Sequence, residues 1–143
     1  MANIVELRDM SNDKLEEMLE NGREELFNLR FQQASARLED YSRLRHVRRE
    51  IAQLETVLNN RRQAIETAVS ETPELASFLS QQSWDATARY VYEDAAWAVE
   101  FVDESGDDIA SAVVNLNGKK PKSRKGRAHK AAASTVKSYE ISG

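Results

Sequence analysis

The chain reads first as two runs of apolar residues at helical spacing, separated by a polar break. Leu15, Leu19, Gly22, Leu26 and Leu29 recur at alternating steps of four and three, which keeps them on one seam of a helix over 12–33. The pattern lapses over 34–41 and restarts with Leu44, Val47, Ile51, Leu54, Leu58 and Ile65, skipping Arg61. Two matched seams joined by a short loop predict an antiparallel, coiled-coil-like helical hairpin. In it Val47, Ile51 and Leu54 pack against Leu29, Leu26 and Gly22, while Leu58 and Ile65 reach toward Leu19 and Leu15. Ser11 and Ser42 stand where the N-caps of the two helices belong. Gly22 costs about 1 kcal/mol relative to Ala in an exposed helix, so it either admits close approach of the partner helix or is a tolerated weak spot. Residues 4–10 form a short lead-in.

Past Ile65 the pattern changes. Thr72-Pro73 reads as N-cap and first position of a short helix carrying Leu75, Phe78 and Leu79 on one side. Residues 84–102 fit two periods: Trp97, Val99 and Phe101 alternate as a strand does, whereas Ala88, Tyr92, Ala95, Ala96 and Val99 also fit a helix face. Strand is assigned to the second half only. Residues 103–108 make a turn, and 109–116 a second strand ended by Asn117-Gly118. Trp84, Tyr90, Tyr92 and Trp97 are expected to pack this β-hairpin on the short helix or on a partner. The predicted fold class is mainly α: a two-helix hairpin over 1–68, a small acidic α+β extension over 69–118, and a basic, disordered tail over 119–143. Residues 131–143 carry no prediction of their own.

Charge changes the picture, because its distribution matters more than its total. The net charge is −4, yet 1–68 carries 11 Lys+Arg against 13 Asp+Glu, 69–118 carries 1 against 10, and 119–143 carries 8 against 1. Polyanion binding needs a local basic patch, not a basic whole. Arg43, Arg45, Arg48 and Arg49 cluster at the loop end of the second helix, next to Arg30 and Arg37. Only Glu50 lies close in sequence to four of them, so most lack an acid at i,i+4 and depart from the usual ion-paired helix face. Asn28, Gln32 and Gln33 lie off the seam, with side chains suited to phosphate, sugar and base edges. Phe27 and Phe31 read as satellite packing, on an RNA groove or a neighbouring protein, rather than as base-stacking rings. Asp13, Glu16, Glu17, Glu20, Glu24 and Glu25 make the first half of the first helix too acidic to approach RNA. Lys119, Lys120, Lys122, Arg124, Lys125 and Arg127 form a basic arm with Pro and Gly, either a solubilising tail or a contact for a polyanion.

One stretch carries a resemblance. Glu24-Glu25-Leu26-Phe27-Asn28-Leu29-Arg30-Phe31-Gln32, then Ala34-Ser35-Ala36-Arg37-Leu38, then Arg43-Leu44-Arg45-His46-Val47-Arg48-Arg49-Glu50-Ile51-Ala52, resembles the bacterial ribosomal large-subunit protein twenty-nine family. The match spans roughly 4–66, with its two halves at the family's spacing. The resemblance implies a structural constituent of the large ribosomal subunit, a helical hairpin on large-subunit ribosomal RNA near the polypeptide exit tunnel. It also implies neighbouring proteins there, protein twenty-three among them, with no membrane, no DNA and no homo-oligomer. The alternative is a coiled-coil adaptor whose seams pair between chains and whose arginines meet an acidic partner.

Catalysis has little support. His46 sits in the arginine helix and His129 in the basic arm, neither with a Ser, Cys or carboxylate at recognisable spacing, and no phosphate loop or zinc pattern occurs. The 103–108 turn lacks the order of a Ca²⁺ loop, so no metal or cofactor is expected. There are no cysteines, and no run approaches the ~20 apolar residues of a membrane helix. These features predict a soluble, unprocessed cytoplasmic protein.

Overall fold

The computed structural model describes residues 3–116 and 136–142. The basic arm, including Lys119, Lys120, Lys122, Arg124, Lys125 and Arg127, lies outside the described residues, as does the Asn117-Gly118 strand end. The elements are α1 (Ile4–Asp9), α2 (Asn12–Ala34), α3 (Tyr41–Glu71), α4 (Pro73–Leu79), β1 (Asp85–Val91), β2 (Ala96–Val102), β3 (Asp108–Val114) and β4 (Val136–Ile141). They form two compact units, 1–60 and 61–143, so the last turns of α3 belong to the second.

The first unit is the predicted antiparallel hairpin, preceded by a short helix where a lead-in was expected. Ser11 caps α2 by accepting from the Lys14 amide at 3.4 Å. The partner helix does approach at Gly22: a Cβ there would stand 3.1 Å from Ile51 Cγ1. That contact corrects the expected register, in which Gly22 faced Leu54. The antiparallel sense follows from two bridges, Glu25 to Arg43 at 2.6 Å and Arg23 to Glu55 at 3.0 Å, since the partner position rises as the α2 position falls.

The buried seam also departs from the predicted one along α3. Leu15, Leu19, Leu54, Val57 and Leu7 form the core, with Ile51, Leu58 and Met18 half-buried around it. Further on, Arg61, Ala64 and Ala68 are buried, and Ile65 packs in the second unit instead of reaching toward Leu15 and Leu19. The buried positions Val47, Leu54, Arg61 and Ala68, with Val57 and Ala64, recur at seven-residue spacing, and Ala64 and Ala68 enter the core of the second unit rather than the hairpin seam. Leu29 is buried, while Leu26 and Leu44 are half-buried.

The loop between α2 and α3 is a helix stop without glycine. Ala36 adopts φ 56°, the Arg37 amide donates to Gln32 O at 2.8 Å, and the Ala36 amide donates to Gln33 O at 3.1 Å. These are the two hydrogen bonds of a Schellman motif, with Ala in the left-handed position that Gly usually holds. Asp40, not Ser42 as expected, then caps α3: its carboxylate accepts from the Ser42 amide at 2.9 Å and from the Ser42 hydroxyl.

The second unit differs more from expectation. A four-stranded antiparallel sheet in the order β1-β2-β3-β4 replaces the predicted two-stranded hairpin. The first half of 84–102, left without a strand assignment, is β1, in register with β2 from Asp85↔Val102 to Val91↔Ala96. Val136–Ile141, inside the stretch expected to be a disordered tail, is β4 on the far side of β3. One face of the sheet supplies Ala88, Trp97, Val99, Phe101, Ala110, Ala112 and Val114 to a core with Leu75, Leu79, Ala64 and Ala68. Thr72 stands at the N-cap of α4 as expected, but without a side-chain capping bond. Tyr139 donates to Glu74 at 2.5 Å and the Val136 amide to Glu71 at 3.3 Å, tying β4 to the helices of its own unit. The Tyr139–Glu74 bond comes first among the causes that hold the phenol above its ordinary pKa.

Two outcomes follow from the loop. Holding Ala left-handed costs about 1–2 kcal/mol, and the extra chain freedom of Gly offsets part of the relief. Ala36→Gly is therefore expected to raise hairpin stability by about 0.5–1 kcal/mol in denaturant unfolding; a loss would show that the left-handed residue is not under strain.

The Ser42 hydroxyl, then its amide, hold the Asp40 carboxyl below its ordinary pKa. Because the folded value is the lower one, the cap's contribution is present above the unfolded value near ~3.9 and is lost as pH falls through the folded value. Circular dichroism during acid titration should find Asp40→Asn less acid-sensitive than the native chain below pH ~4. Identical acid curves would remove the cap from any role in starting α3.

Candidate nucleic-acid interface

At 3.6 residues per turn, positions three and four apart share a side of a helix. The two ion pairs show which sides of α2 and α3 adjoin. With Arg23–Glu55 go Phe27, Arg30, Phe31 and Ala34 on α2, and Tyr41, Arg45, Arg48 and Ala52 on α3. Arg49 stands at the outer margin of the same stripe. With Glu25–Arg43 go Asn28 and Gln32 on α2, and His46 and Glu50 on α3. The candidate residues, grouped in sequence as one basic tip, are thus distributed over two unlike sides.

The first side is the basic one. Arg30, Arg45, Arg48 and Arg49 are exposed, and among the described residues no carboxylate lies within ion-pair distance of them. Arg37 is exposed in the loop. The second side is close to neutral: Arg43 is bound by Glu25, whose side-chain hydrogen bond raises the guanidinium pKa further. Asn28, Gln32 and Gln33 are exposed and available for polar contacts. Lower on this second side, Gly22, Asn21, Glu25, Glu50, Gln53 and Leu54 line a cleft of 340 Å³ whose carboxylates disfavour phosphate.

Two further placements bear on the site. Arg61, which the expected seam skips, is 7% exposed, and burial lowers its pKa, so its guanidinium is not presented to a ligand. Arg62 is exposed. Phe27 and Phe31, whose expected packing was left between an RNA groove and a neighbouring protein, are 70% and 65% exposed and belong to neither core of this chain, and Tyr41 is 61% exposed. Their phase was the available signal, since all three fall between the seams. Among the described residues no group of three or more His, Cys, Asp or Glu is placed to hold a metal ion, and no helix is long and apolar enough to cross a membrane.

Comparison with known proteins bears on the same segment. Residues 5–61 match the family model described as Ribosomal L29 protein. The large ribosomal subunit protein uL29 of Rubrobacter xylanophilus is 55% identical over 58 residues, covering 41% of this chain and 87% of that protein. Those of Streptomyces coelicolor and Staphylococcus aureus are 46% and 48% identical over 46% and 39% of this chain, and 88% and 81% of theirs. No solved structure matches significantly. The matched segment contains the Gly22 approach, the glycine-free loop and the arginine-bearing stripes, and on that footing the chain belongs to the large ribosomal subunit protein uL29 family, structural proteins of the ribosome.

Proposed function

We propose that the hairpin tip fixes this structural protein to large-subunit ribosomal RNA near the polypeptide exit tunnel, with Arg30, Arg37, Arg45, Arg48 and Arg49 on phosphates. The observation that carries the reading is the exposed row Arg45, Arg48 and Arg49, which no carboxylate of the described residues neutralises. Guanidinium groups in such a row meet a phosphate backbone through charge-assisted hydrogen bonds. Asn28, Gln32 and Gln33 are secondary polar contacts, and Arg43, held by Glu25, contributes least. Neighbouring proteins at the tunnel exit, protein twenty-three among them, are the further partners. The basic run at Lys119, Lys120, Lys122, Arg124, Lys125 and Arg127 adds a second RNA contact. The adaptor reading loses support because the apolar seams that would pair between chains are occupied within the hairpin.

Each lost phosphate contact lowers the steepness of the salt dependence by about one unit. Arg45→Ala with Arg48→Ala is therefore expected to weaken binding to large-subunit RNA and reduce the slope by about two units, whereas Arg43→Ala changes the slope little. An unchanged slope in the double variant would remove these arginines from the interface.

The core of the first unit is built from residues 4–58, without contribution from the sheet. A chain ending at Glu71 is accordingly expected to enter large subunits in cells and lose only secondary contacts. Its absence from subunits on a sucrose gradient would show that the extension is the anchor.

A further inference from the structure

The two sides of the hairpin tip differ in more than charge. Phe27 and Phe31 stand 70% and 65% exposed on the stripe that carries Arg30, and Tyr41 stands 61% exposed on the stripe that carries Arg45 and Arg48. Neither core uses these rings. The opposite side has the Arg43–Glu25 pair and amides in their place.

An exposed ring flanked by guanidinium groups suits a base that has left its stack: the ring takes the base face and the cations take the phosphates on either side. A continuous A-form duplex gives such a surface little to stack on, because its bases are paired and its major groove is too narrow for side chains. Phe27 and Phe31 are one helical turn apart, about 6 Å along the axis, nearly two base-stacking steps of ~3.4 Å. That spacing matches splayed nucleotides better than an unbroken stack. A protein partner would suit the rings but not the row of cations, unless it matched them with acids.

We propose that this side of the hairpin binds unpaired nucleotides of a structured RNA, in a bulge or loop, with Phe27 and Phe31 stacked on bases and Arg30, Arg45 and Arg48 on the adjoining phosphates. The inference rests on the ribosomal-RNA reading above and narrows it to one side of the tip and one class of RNA element.

The test compares the full chain with two paired variants, Phe27→Leu with Phe31→Leu and Arg45→Ala with Arg48→Ala. Binding is measured across a salt series to large-subunit ribosomal RNA and to a fully paired RNA duplex. Because both rings are exposed and Leu is a good helix former, the Leu pair should keep native helicity by circular dichroism. It is expected to lose at least about tenfold in affinity for ribosomal RNA at every salt concentration, with the salt slope unchanged. It should also lose the native preference over the duplex. If the Leu pair binds as the native chain does while the arginine pair is weakened, stacking is overturned and the RNA grip stands. If neither pair weakens binding, the assignment of the tip itself falls as well. A Leu pair that binds RNA normally yet is missing from subunits assembled in cells would place the rings on a neighbouring protein and overturn the proposal.

Discussion

The close approach of α3 to Gly22 is the constraint on which the first unit depends. With Ile51 Cγ1 only 3.1 Å from where a Cβ would stand, any larger residue would push the helices apart or force Ile51 aside. That spacing brings Leu19 and Leu54 into one core and lets Arg23 reach Glu55 and Glu25 reach Arg43 on opposite flanks. The flanking pairs are exposed and contribute little to stability themselves. Burial of Leu7, Leu15, Leu54 and Val57 holds the unit together, and the pairs fix which charges remain for a ligand.

Local and global requirements meet at the tip. The loop must stop α2, reverse the chain and start α3 within 35–40, and it does so with Ala36 left-handed and Asp40 on the first amides of α3. Arg43 follows three residues after the cap and turns toward Glu25, whereas Arg45 and Arg48 come up on the other side. Two residues of helix thus separate Arg43, neutralised by Glu25, from Arg45, which like Arg48 no carboxylate of the described residues reaches.

The hairpin was legible in the sequence because leucine spacing, Ser11 and the polar break all point the same way. The register of Gly22 was not, since sliding α3 by one seam step leaves the apolar pattern intact. Periodicity also could not show that Ile65 would serve the second unit, because a seam residue carries no record of its partner. β1 was obscured by a turn at 92–95 that has no Gly or Pro and places Ala95 at φ 48°. β4 was obscured by a different device. The irregularity between Val113 and Val114 puts Val136 opposite Val114 and Tyr139 opposite Ala112, which breaks the two-residue alternation that would have announced a strand. In the site, the arginines were readable as a cluster, but only the ion pairs of the folded hairpin sort Arg43 from Arg45 and Arg48.

Among the described residues the strand order leaves β1 and β4 at the margins of the sheet. A bare margin offers unsatisfied amides and carbonyls to any extended chain that passes, including the same strand of another copy. Here the exposed positions of β1 include Asp85 and Arg89, and those of β4 include Lys137 and Glu140. Like charges would have to meet when two such strands aligned in parallel and in register, which disfavours self-templated aggregation. That protection counts most for newly made copies that have not yet found a place in a ribosome.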